Sequence, residues 1–448
     1  MVFWSEDYEK KQTDAKGIAQ LIRSGDTIGM GHAMGAPSPE VYHAILDRHE
    51  ELEGVKILDV VQIRPTKLYD PEYMAKLNGK INHVIPFGVA SIRKMYAANR
   101  SDFLVGSTVE AGEVQSQRID VLIIMVTPPN KSGYVNLGLS NFMTLDNIRR
   151  GKASGKRRLT IAEVNEQMPV VFGDNWAHVS EFDYFFENST SIPTFERGQP
   201  SDIEQTMANY VLELIRDGDT IQMGIGGIPE AVVAGLDGKH DLGVLTEMTP
   251  MGLPNLVEKG VITNNKKPFH PGVTLSCFCM GDQEMYDYAR ENPACQIYPA
   301  SYTNDPFFIA QHPNIVTMNM ALQIDLSGQI ASEGLGHKMI SGPGGQLDFM
   351  IGSYYSKGGR GITLLNAARQ IKGELNSAIV SELDPGTPVT VPRTFAQYVI
   401  SEYGIASLRY KTRIERAKEL IAIAHPDVRG ELRNSLNRNF YPNWEAQT

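Results

Sequence analysis

The stretch Leu21-Ile22-Arg23-Ser24-Gly25-Asp26-Thr27-Ile28-Gly29-Met30-Gly31 recurs, with nine of its eleven positions identical, as Leu214-Ile215-Arg216-Asp217-Gly218-Asp219-Thr220-Ile221-Gln222-Met223-Gly224. Each copy has the pattern of a helix end, a Gly-Asp turn and a short apolar strand. The copies lie too far apart for a solenoid, whose repeats are much shorter. The repeat therefore predicts two domains of similar fold within one chain.

The residues around each copy predict the same order of elements: a helix, a strand, a glycine-rich turn and a second helix with proline in its first turn. These elements are helices over 15–23 and 207–216, strands over 26–30 and 219–223, and second helices from Pro39 and Pro229. Further apolar runs predict buried strands over 56–62, 120–126, 272–280 and 314–322, and a helix over 412–424.

Alternating strands and helices predict an α/β fold with two similar open-sheet domains, largely parallel and related by tandem duplication. A polar Gly/Pro stretch over 195–201 marks the expected boundary, which gives an N-terminal domain over 1–195 and a C-terminal domain over 196–448. The length of 448 residues agrees with more than one hydrophobic core.

Composition limits the kinds of partner that the protein can bind and indicates the cellular compartment. The net charge of −10 argues against binding to nucleic acid, because neutralising phosphates requires a basic face. Only three cysteines occur, without a C-x-x-C pair, so we expect a reducing compartment, no disulfide framework and no metal site. The N-terminus lacks the basic and apolar regions of a signal peptide, and no window has the length of a membrane span. We therefore expect a cytoplasmic protein that does not bind membranes.

The first segment with chemical potential is Gln222-Met223-Gly224-Ile225-Gly226, at the end of the second repeat. A strand, a run of glycines and a helix N-terminus together expose backbone N–H groups that can bind an anion or a developing oxyanion. A plain structural turn is the alternative explanation, and it is slightly favoured because glycines between a strand and a helix are common. A dinucleotide-binding G-x-G-x-x-G spacing is absent.

The second and third segments add a carboxylate and two cations. Glu247 follows the apolar residues 242–245, so we expect it at the carboxyl end of a strand, where open α/β sheets bind ligands. The alternative is a solvated surface glutamate, which is the commoner state of this residue type. A glycine stretch over 340–349 is followed by Lys357 and Arg360, which are candidate phosphate partners. Its alternative is a glycine hairpin with two solvated cations.

Taken in this order, the three segments resemble those of the acetyl-CoA hydrolase/transferase group of class I CoA-transferases, in particular the butyryl-CoA:acetate and 4-hydroxybutyrate CoA-transferases. The resemblance covers nearly the whole chain. It includes Gly31-His32-Ala33, Pro128-Pro129, Gly133-Tyr134, Tyr302-Thr303-Asn304-Asp305-Pro306, residues 402–406 and Ala424-His425-Pro426. It implies a CoA-transferase (NagB-RpiA-like) fold in both domains.

The resemblance also implies roles for individual residues. Glu247 matches the nucleophile of the family, and residues 222–226 match a CoA-binding segment in which the N–H of Ile225 donates to an oxyanion. Gly345 matches the second oxyanion donor, and Leu322 matches a further CoA contact. His32 is a candidate for the substrate pocket only. Leu245, Met34 and residues 249–252 differ from the usual residues of the family, which predicts a reshaped acyl or acceptor pocket.

The implied reaction is a ping-pong transfer of CoA from a short-chain acyl-CoA, such as butyryl-CoA, to acetate or another small acid through a glutamyl-CoA thioester. Every intermediate stays activated, so no prosthetic group is expected, and CoA enters only as a substrate. The family implies a homodimer or a homotetramer. Two alternatives remain: an acyl-CoA hydrolase that uses the same Glu247, and a non-catalytic CoA-binding homologue.

Overall fold

A computed structural model describes residues 4–224 and 226–439 of the chain. These residues form two compact units. The first unit comprises the residues up to Glu196 together with Thr246–Thr249 and Val273–Asp305. The second comprises Arg197–Leu245, Pro250–Gly272 and the residues from Pro306 onward.

The helices are α1 (Trp4–Lys10), α2 (Ala15–Leu21), α3 (Pro39–Leu46), α4 (Pro71–Lys76), α5 (Arg93–Ala97), α6 (Ala111–Ser116), α7 (Thr144–Ala153), α8 (Asp202–Leu214), α9 (Gly227–Gly235), α10 (Leu253–Glu258), α11 (Gln283–Ala289), α12 (Ala300–Thr303), α13 (Pro306–Ala310), α14 (Gln346–Tyr355), α15 (Arg413–Ala422) and α16 (Arg429–Asn439).

The strands are β1 (Thr27–His32), β2 (Val55–Val60), β3 (Ile81–Ile85), β4 (Ser101–Phe103), β5 (Val121–Val126), β6 (Tyr134–Asn136), β7 (Leu159–Val164), β8 (Trp176–His178), β9 (Tyr184–Glu187), β10 (Thr220–Gln222), β11 (Gly243–Val244), β12 (Met248–Thr249), β13 (Thr274–Ser276), β14 (Phe278–Cys279), β15 (Cys295–Ile297), β16 (Ile315–Met320), β17 (Gln323–Asp325), β18 (Ile330–Ala331), β19 (Gly334–Leu335), β20 (Lys338–Met339), β21 (Arg360–Leu364), β22 (Ala368–Ile371), β23 (Glu374–Ser377), β24 (Ile379–Val380), β25 (Tyr398–Ser401) and β26 (Gly404–Ser407).

The first unit is built on a seven-stranded parallel sheet with the order β4-β3-β2-β1-β5-β7-β9. Every residue of β5 is buried, as expected for a central strand covered on both faces. Alternate side chains of β5 enter different cores: Ile123 packs with Ile18 and Ile57, whereas Leu122 and Ile124 pack with other apolar residues on the opposite face.

The second unit is built on a six-stranded sheet with the order β11-β10-β16-β21-β25-β26. Its strands are parallel except for β26, which pairs with β25 in antiparallel orientation. In both sheets the first strand of the repeat has the next sheet strand on one side and a later strand on the other, so the strand order reverses at β1 and at β10. The predicted α/β fold with two similar open sheets is confirmed.

An aspartate–arginine ion pair occurs at the same place in both sheets, and the pair in the second sheet is buried. The carboxylate of Asp26 accepts from Arg23 N–H and binds Arg158, which directly precedes β7. In the second unit Asp219 accepts from Arg216 N–H at 2.6 Å, and its Oδ1 accepts from Arg360, the first residue of β21, at 2.5 Å. The two units therefore share an ion pair whose arginine lies outside the repeated eleven-residue stretch.

The compact units differ from the predicted contiguous division in two segments, Thr246–Thr249 and Val273–Asp305. The predicted strand over 272–280 is divided into β13 and β14 at Cys277, whose carbonyl oxygen accepts from Asn141 N–H and Phe142 N–H. Cys279 N–H donates to Leu139 O at 2.7 Å. These backbone hydrogen bonds explain why a segment from the second half of the sequence belongs to the first unit.

Candidate active site

The backbone on both sides of Glu247 is held by a second backbone segment of the first unit. The carbonyl oxygen of Glu247 accepts from Cys277 N–H at 3.0 Å and from Phe278 N–H at 3.2 Å. Directly after Glu247, β12 pairs in parallel with β14, with Met248 opposite Phe278. The side chain of Glu247 is half-buried. The carboxylate therefore starts from a fixed main-chain position, as a positioned nucleophile requires.

The carboxylate of Glu247 is bound by a buried amide. Asn304 Nδ2 donates to Glu247 Oε2 at 2.7 Å. The backbone N–H of Asn304 donates to Ala300 O and caps α12, and its Oδ1 accepts from Thr303 Oγ1 at 2.9 Å. Because Oδ1 is an acceptor for the threonine hydroxyl, the amide presents its NH₂ group to the glutamate. Both the oxygen and the nitrogen of the Asn304 side-chain amide are thus engaged in hydrogen bonds.

Cys277 lies beside this pair, and its side chain is an uncharged thiol. Its Sγ is 3.1 Å from Glu247 O and 4.0 Å from Asn304 Oδ1. Burial, together with the negative charge of Glu247, raises the pKa of Cys277 well above its usual value. A protonated buried thiol is a poor nucleophile, so Cys277 is a poor candidate for an attacking group.

His32 belongs to the apolar surroundings of this site. Its ring stacks on Phe142 with centroids 4.2 Å apart and meets the edge of Phe278 at 4.6 Å. Its Nδ1 lies 2.8 Å from Ser140 Oγ. Burial lowers the pKa of His32 to about 3, so the ring is neutral at physiological pH. A neutral, stacked imidazole with this pKa is a packing residue and a poor general base.

In the second unit, the first glycine segment follows β10. Gln222 is buried, and its Oε1 accepts from Met318 N–H at 3.0 Å, so this side chain ties β10 to β16. Met223 is also buried, whereas Gly224 is half-exposed and Gly226 is exposed. Gly226 adopts a φ of 124° and caps α9, a conformation that favours glycine. Ile225, the predicted oxyanion donor, lies outside the described residues.

Two further predicted residues share the edge of the second sheet where Gly224 lies. Leu322 follows β16 by two residues and donates its N–H to Ala331 O at 2.9 Å. Gly345 caps α14, the helix that leads to the neighbouring parallel strand β21. Because this helix runs back along the sheet, it begins at the carboxyl ends of the strands, where α/β folds bind ligands. The fold thus brings Gly224, Leu322 and Gly345 to one edge.

The two predicted phosphate partners do not lie at that edge. Lys357 is exposed beyond the other end of α14, roughly 15 Å of helix away from Gly345. Its carbonyl oxygen accepts from Asn314 N–H at 2.9 Å, just before β16 begins. Arg360 is buried against Asp219. The expectation of phosphate binding is wrong for Arg360, whose guanidinium is paired with Asp219. It stays a prediction for Lys357, which lies at the opposite end of α14 from Gly345.

The described part of the chain contains neither a metal-ligand cluster nor a helix suited to crossing a membrane. Within 4–224 and 226–439, no group of three or more His, Cys, Asp or Glu side chains could hold a metal ion. Over the same ranges, no helix combines the length and the apolar character that a bilayer crossing requires.

Comparison with known domain families decides the relationship. The acetyl-CoA hydrolase/transferase N-terminal domain matches residues 3–195, and the acetyl-CoA hydrolase/transferase C-terminal domain matches residues 281–436. The chain belongs to the acetyl-CoA hydrolase/transferase family. The resemblance drawn from the three sequence segments is thereby confirmed.

This family member is similar over its full length to curated relatives and to solved structures. It is 35% identical to 4-hydroxybutyrate coenzyme A transferase of Clostridium kluyveri, over 98% of this chain and 100% of the relative. It is 33% identical to succinyl-CoA:cyclohexane-1-carboxylate CoA transferase of Geobacter metallireducens, over 97% of each. The crystal structure of RipA from Yersinia pestis superposes with a TM-score of 0.87, at 31% identity and over 97% and 99% of the two chains.

The residue that the sequence analysis missed in this family member is Asn304. It occurred there only as part of the Tyr302-Thr303-Asn304-Asp305-Pro306 motif, without a role. Its partner Glu247 lies 57 positions earlier in the chain. No local pattern links the two residues, so the available signal was the position of Asn304 inside a motif of the family resemblance.

Proposed function

We propose that this protein transfers CoA from an acyl-CoA to a free carboxylate and that Glu247 is its nucleophile. The observation that carries the proposal is the half-buried Glu247 carboxylate bound at 2.7 Å by the buried amide of Asn304. Membership of the family supports the reaction type. The names of the relatives favour a short-chain acyl donor and a small carboxylic acid as acceptor.

The proposed reaction proceeds in two half-reactions. A carboxylate oxygen of Glu247 attacks the acyl-CoA carbonyl carbon, the C–S bond breaks, and an acyl-glutamyl anhydride and CoA thiolate result. The thiolate then attacks the glutamyl carbonyl carbon, which releases the first carboxylate and leaves a glutamyl-CoA thioester. An incoming carboxylate reverses both steps and departs as the new acyl-CoA. Each intermediate retains the energy of the original thioester, so the overall exchange needs no ATP.

Asn304 has a defined task in this scheme. When the thiolate attacks the glutamyl carbonyl carbon, negative charge develops on the glutamyl oxygen that is not displaced. In the structure Oε2 of Glu247 accepts from Asn304 Nδ2, so a donor is already in place for that charge. Donors of this kind contribute roughly 3 kcal/mol to transition-state stabilisation in other enzymes. We assign the same type of role to the N–H groups of Ile225 and Gly345.

We further propose that CoA binds along residues 222–226 and at Leu322 and Gly345 of the second unit. The support is their common position at one edge of the sheet and the start of α14 at Gly345. For Gln222 and Met223 the contact would involve the main chain, because both side chains are buried. The family resemblance also leads us to propose a homodimer or a homotetramer, which light scattering on the purified protein would distinguish from a monomer.

The decisive experiment traps the covalent intermediate. The protein is incubated with butyryl-CoA, reduced with borohydride and mapped by peptide mass spectrometry, and we expect one reduced residue, Glu247. Glu247→Gln should abolish both the adduct and the transfer. Glu181→Gln is the matched control: it alters a half-buried glutamate of the same unit that caps a short helical turn, and it should retain the adduct.

Other outcomes point to the alternatives. CoA release that does not depend on an added carboxylate would indicate a hydrolase that uses the same glutamate. Binding of acyl-CoA without an adduct, and with no loss of function in Glu247→Gln, would indicate a non-catalytic CoA-binding homologue. An adduct on a residue other than Glu247 would refute the assigned mechanism.

A further inference from the structure

Two short antiparallel strands, β22 and β23, form a hairpin at the carboxyl edge of the second sheet. The parallel strand β21 ends at Leu364, and β22 begins four residues later. At the base of the hairpin, Ala321 N–H donates to Leu364 O and Ile324 N–H donates to Ala378 O, each at 2.8 Å. Leu322 lies between these two donors in the chain. The base of the hairpin is therefore fixed beside a residue of the proposed CoA site.

The hairpin, residues 368–377, presents one fully exposed face. None of these ten residues, all of which the structure describes, is buried. Arg369, Ile371, Glu374 and Asn376 share a face, because side chains alternate along a strand and these four residues form two cross-strand pairs. All four are exposed. A two-stranded hairpin has only marginal stability in water unless it packs against something. This face is therefore available to a ligand, and a ligand would stabilise it.

The turn of the hairpin holds a lysine in a left-handed conformation. Lys372 and Gly373 join the two strands and have φ values of 52° and 83°. A two-residue turn with positive φ at both positions favours Asn, Asp or Gly at the first of them, so a lysine is less favourable there. Backbone strain at an exposed position points to a function for the side chain that is kept.

Arg369 and Lys372 are cations without a partner. Neither side chain has an ion pair or a hydrogen bond within the described part of the chain. By contrast, Arg360 is paired with the buried Asp219, and Lys357 lies beyond the far end of α14. The hairpin thus brings two uncommitted positive charges to the edge of the sheet where the glycine segments lie.

We propose that this hairpin binds the phosphate groups of CoA, with Arg369 and Lys372 as their partners. The inference rests on the CoA site proposed above for the second unit. The pantetheine arm separates the thiol of CoA from its phosphates, so their partners should stand apart from the reacting carbon. A guanidinium binds phosphate oxygens in pairs, and an ammonium binds them as a point charge. Local cations are needed because the chain has a net charge of −10, which repels an anionic substrate.

Donors with and without phosphates test the proposal. Acetyl-CoA and acetyl-pantetheine carry the same thioester, and only acetyl-CoA has phosphate groups. In the double variant Arg369→Gln/Lys372→Asn, we expect kcat/KM to fall by about tenfold for acetyl-CoA, about threefold for each exposed ion pair, and by less than about twofold for acetyl-pantetheine. Asparagine suits the left-handed position, so the turn is retained. An equal fall with both donors, or no fall with either, would overturn the proposal.

Glu374 offers a test of the opposite sign. It lies opposite Ile371 on the face that carries Arg369. Glu374→Gln removes a negative charge near the proposed phosphates and should raise kcat/KM for acetyl-CoA by about twofold, without a change for acetyl-pantetheine. A decrease, or no change with either donor, would contradict the assignment.

Two further variants serve as controls for charge and position. Arg433→Gln removes an exposed cation from α16 and should leave both donors unaffected. Lys357→Gln tests the other end of α14. A loss specific to acetyl-CoA in Lys357→Gln, with none in the hairpin double variant, would place the phosphates there and overturn the proposal.

The glutamyl-CoA adduct separates a failure of this inference from a failure of the proposed function. Absence of the adduct on Glu247 of the wild-type protein, with every acyl-CoA, refutes the proposed function. An adduct on Glu247, together with equal responses of the hairpin double variant to the two acetyl donors, refutes only the assignment of the phosphates to the hairpin.

Discussion

Asn304→Ala removes the amide that donates to Glu247 Oε2 at 2.7 Å and leaves the backbone cap of α12 in place. In the proposed mechanism the amide acts on kcat through the charge that develops on the glutamyl oxygen during thiolate attack, because only interactions that are stronger in the transition state raise kcat. A hydrogen bond to a charged group contributes about 1.5–3 kcal/mol, so its loss should lower kcat by about 10- to 150-fold. The hydroxyl of Thr303 loses its acceptor as well, so a stability loss of about 1 kcal/mol accompanies the kinetic effect.

The assay separates the two effects. Steady-state kcat and KM are measured with butyryl-CoA and acetate, the rate of glutamyl-CoA formation is measured in a single turnover, and stability is measured by denaturant unfolding. Asn292→Ala is the control, because it also removes side-chain hydrogen bonds within the first unit, to Tyr288 O and from Ala294 N–H. We expect it to lower stability without slowing thioester formation. If folded Asn304→Ala retains kcat within about twofold of wild type, less than the smallest expected loss, the role assigned to Asn304 is refuted.

Two further predictions concern stability. Arg360→Met removes the arginine partner of the buried Asp219 carboxylate and should lower the free energy of unfolding by about 3–5 kcal/mol. Adding Asp219→Asn should recover part of this loss. Additive losses in a double-mutant cycle would contradict the assigned ion pair. Lys267 is buried, its Nζ donates to Val244 O, and burial lowers its pKa from 10.5 to about 7. Between pH 7 and pH 10.5, Lys267 is protonated in the unfolded state and neutral in the folded state. The free energy of unfolding therefore rises by about 1.4 kcal/mol per pH unit over this range, and the destabilising effect of Lys267 is greatest below pH 7. Lys267→Met should therefore stabilise the protein more at pH 6 than at pH 9 in urea unfolding, and an equal effect at both pH values would disprove the assignment.

The fold was predictable because its signals are local. A helix end, a Gly-Asp turn and an apolar strand are each encoded within a few residues, and their recurrence predicts the two sheets. Gly25 and Gly218 adopt φ values of 83° and 80°, as the turn in each copy requires. The strand order and the Arg158 and Arg360 ion pairs depend on contacts between distant parts of the chain, and the sequence pattern does not contain them.

The same distinction between local signals and long-range contacts applies to the candidate site. Glu247 and the glycine segments were found from short motifs and from the family that those motifs resemble. Asn304 was missed because its hydrogen bond to Glu247 spans 57 positions. Lys357 was grouped with Gly345 because the two are close in sequence, but α14 separates them and leaves them at opposite ends of a helix.

The sequence by itself determined the duplicated α/β architecture, the family and the candidate nucleophile, because helix ends, turns and strand runs are encoded by neighbouring residues. Only the tertiary structure decided which side chain binds the Glu247 carboxylate and which cations are already paired. The physical reason is that hydrogen bonding, ion pairing and desolvation depend on distance in space, and folding brings together groups whose separation along the chain carries no record of it.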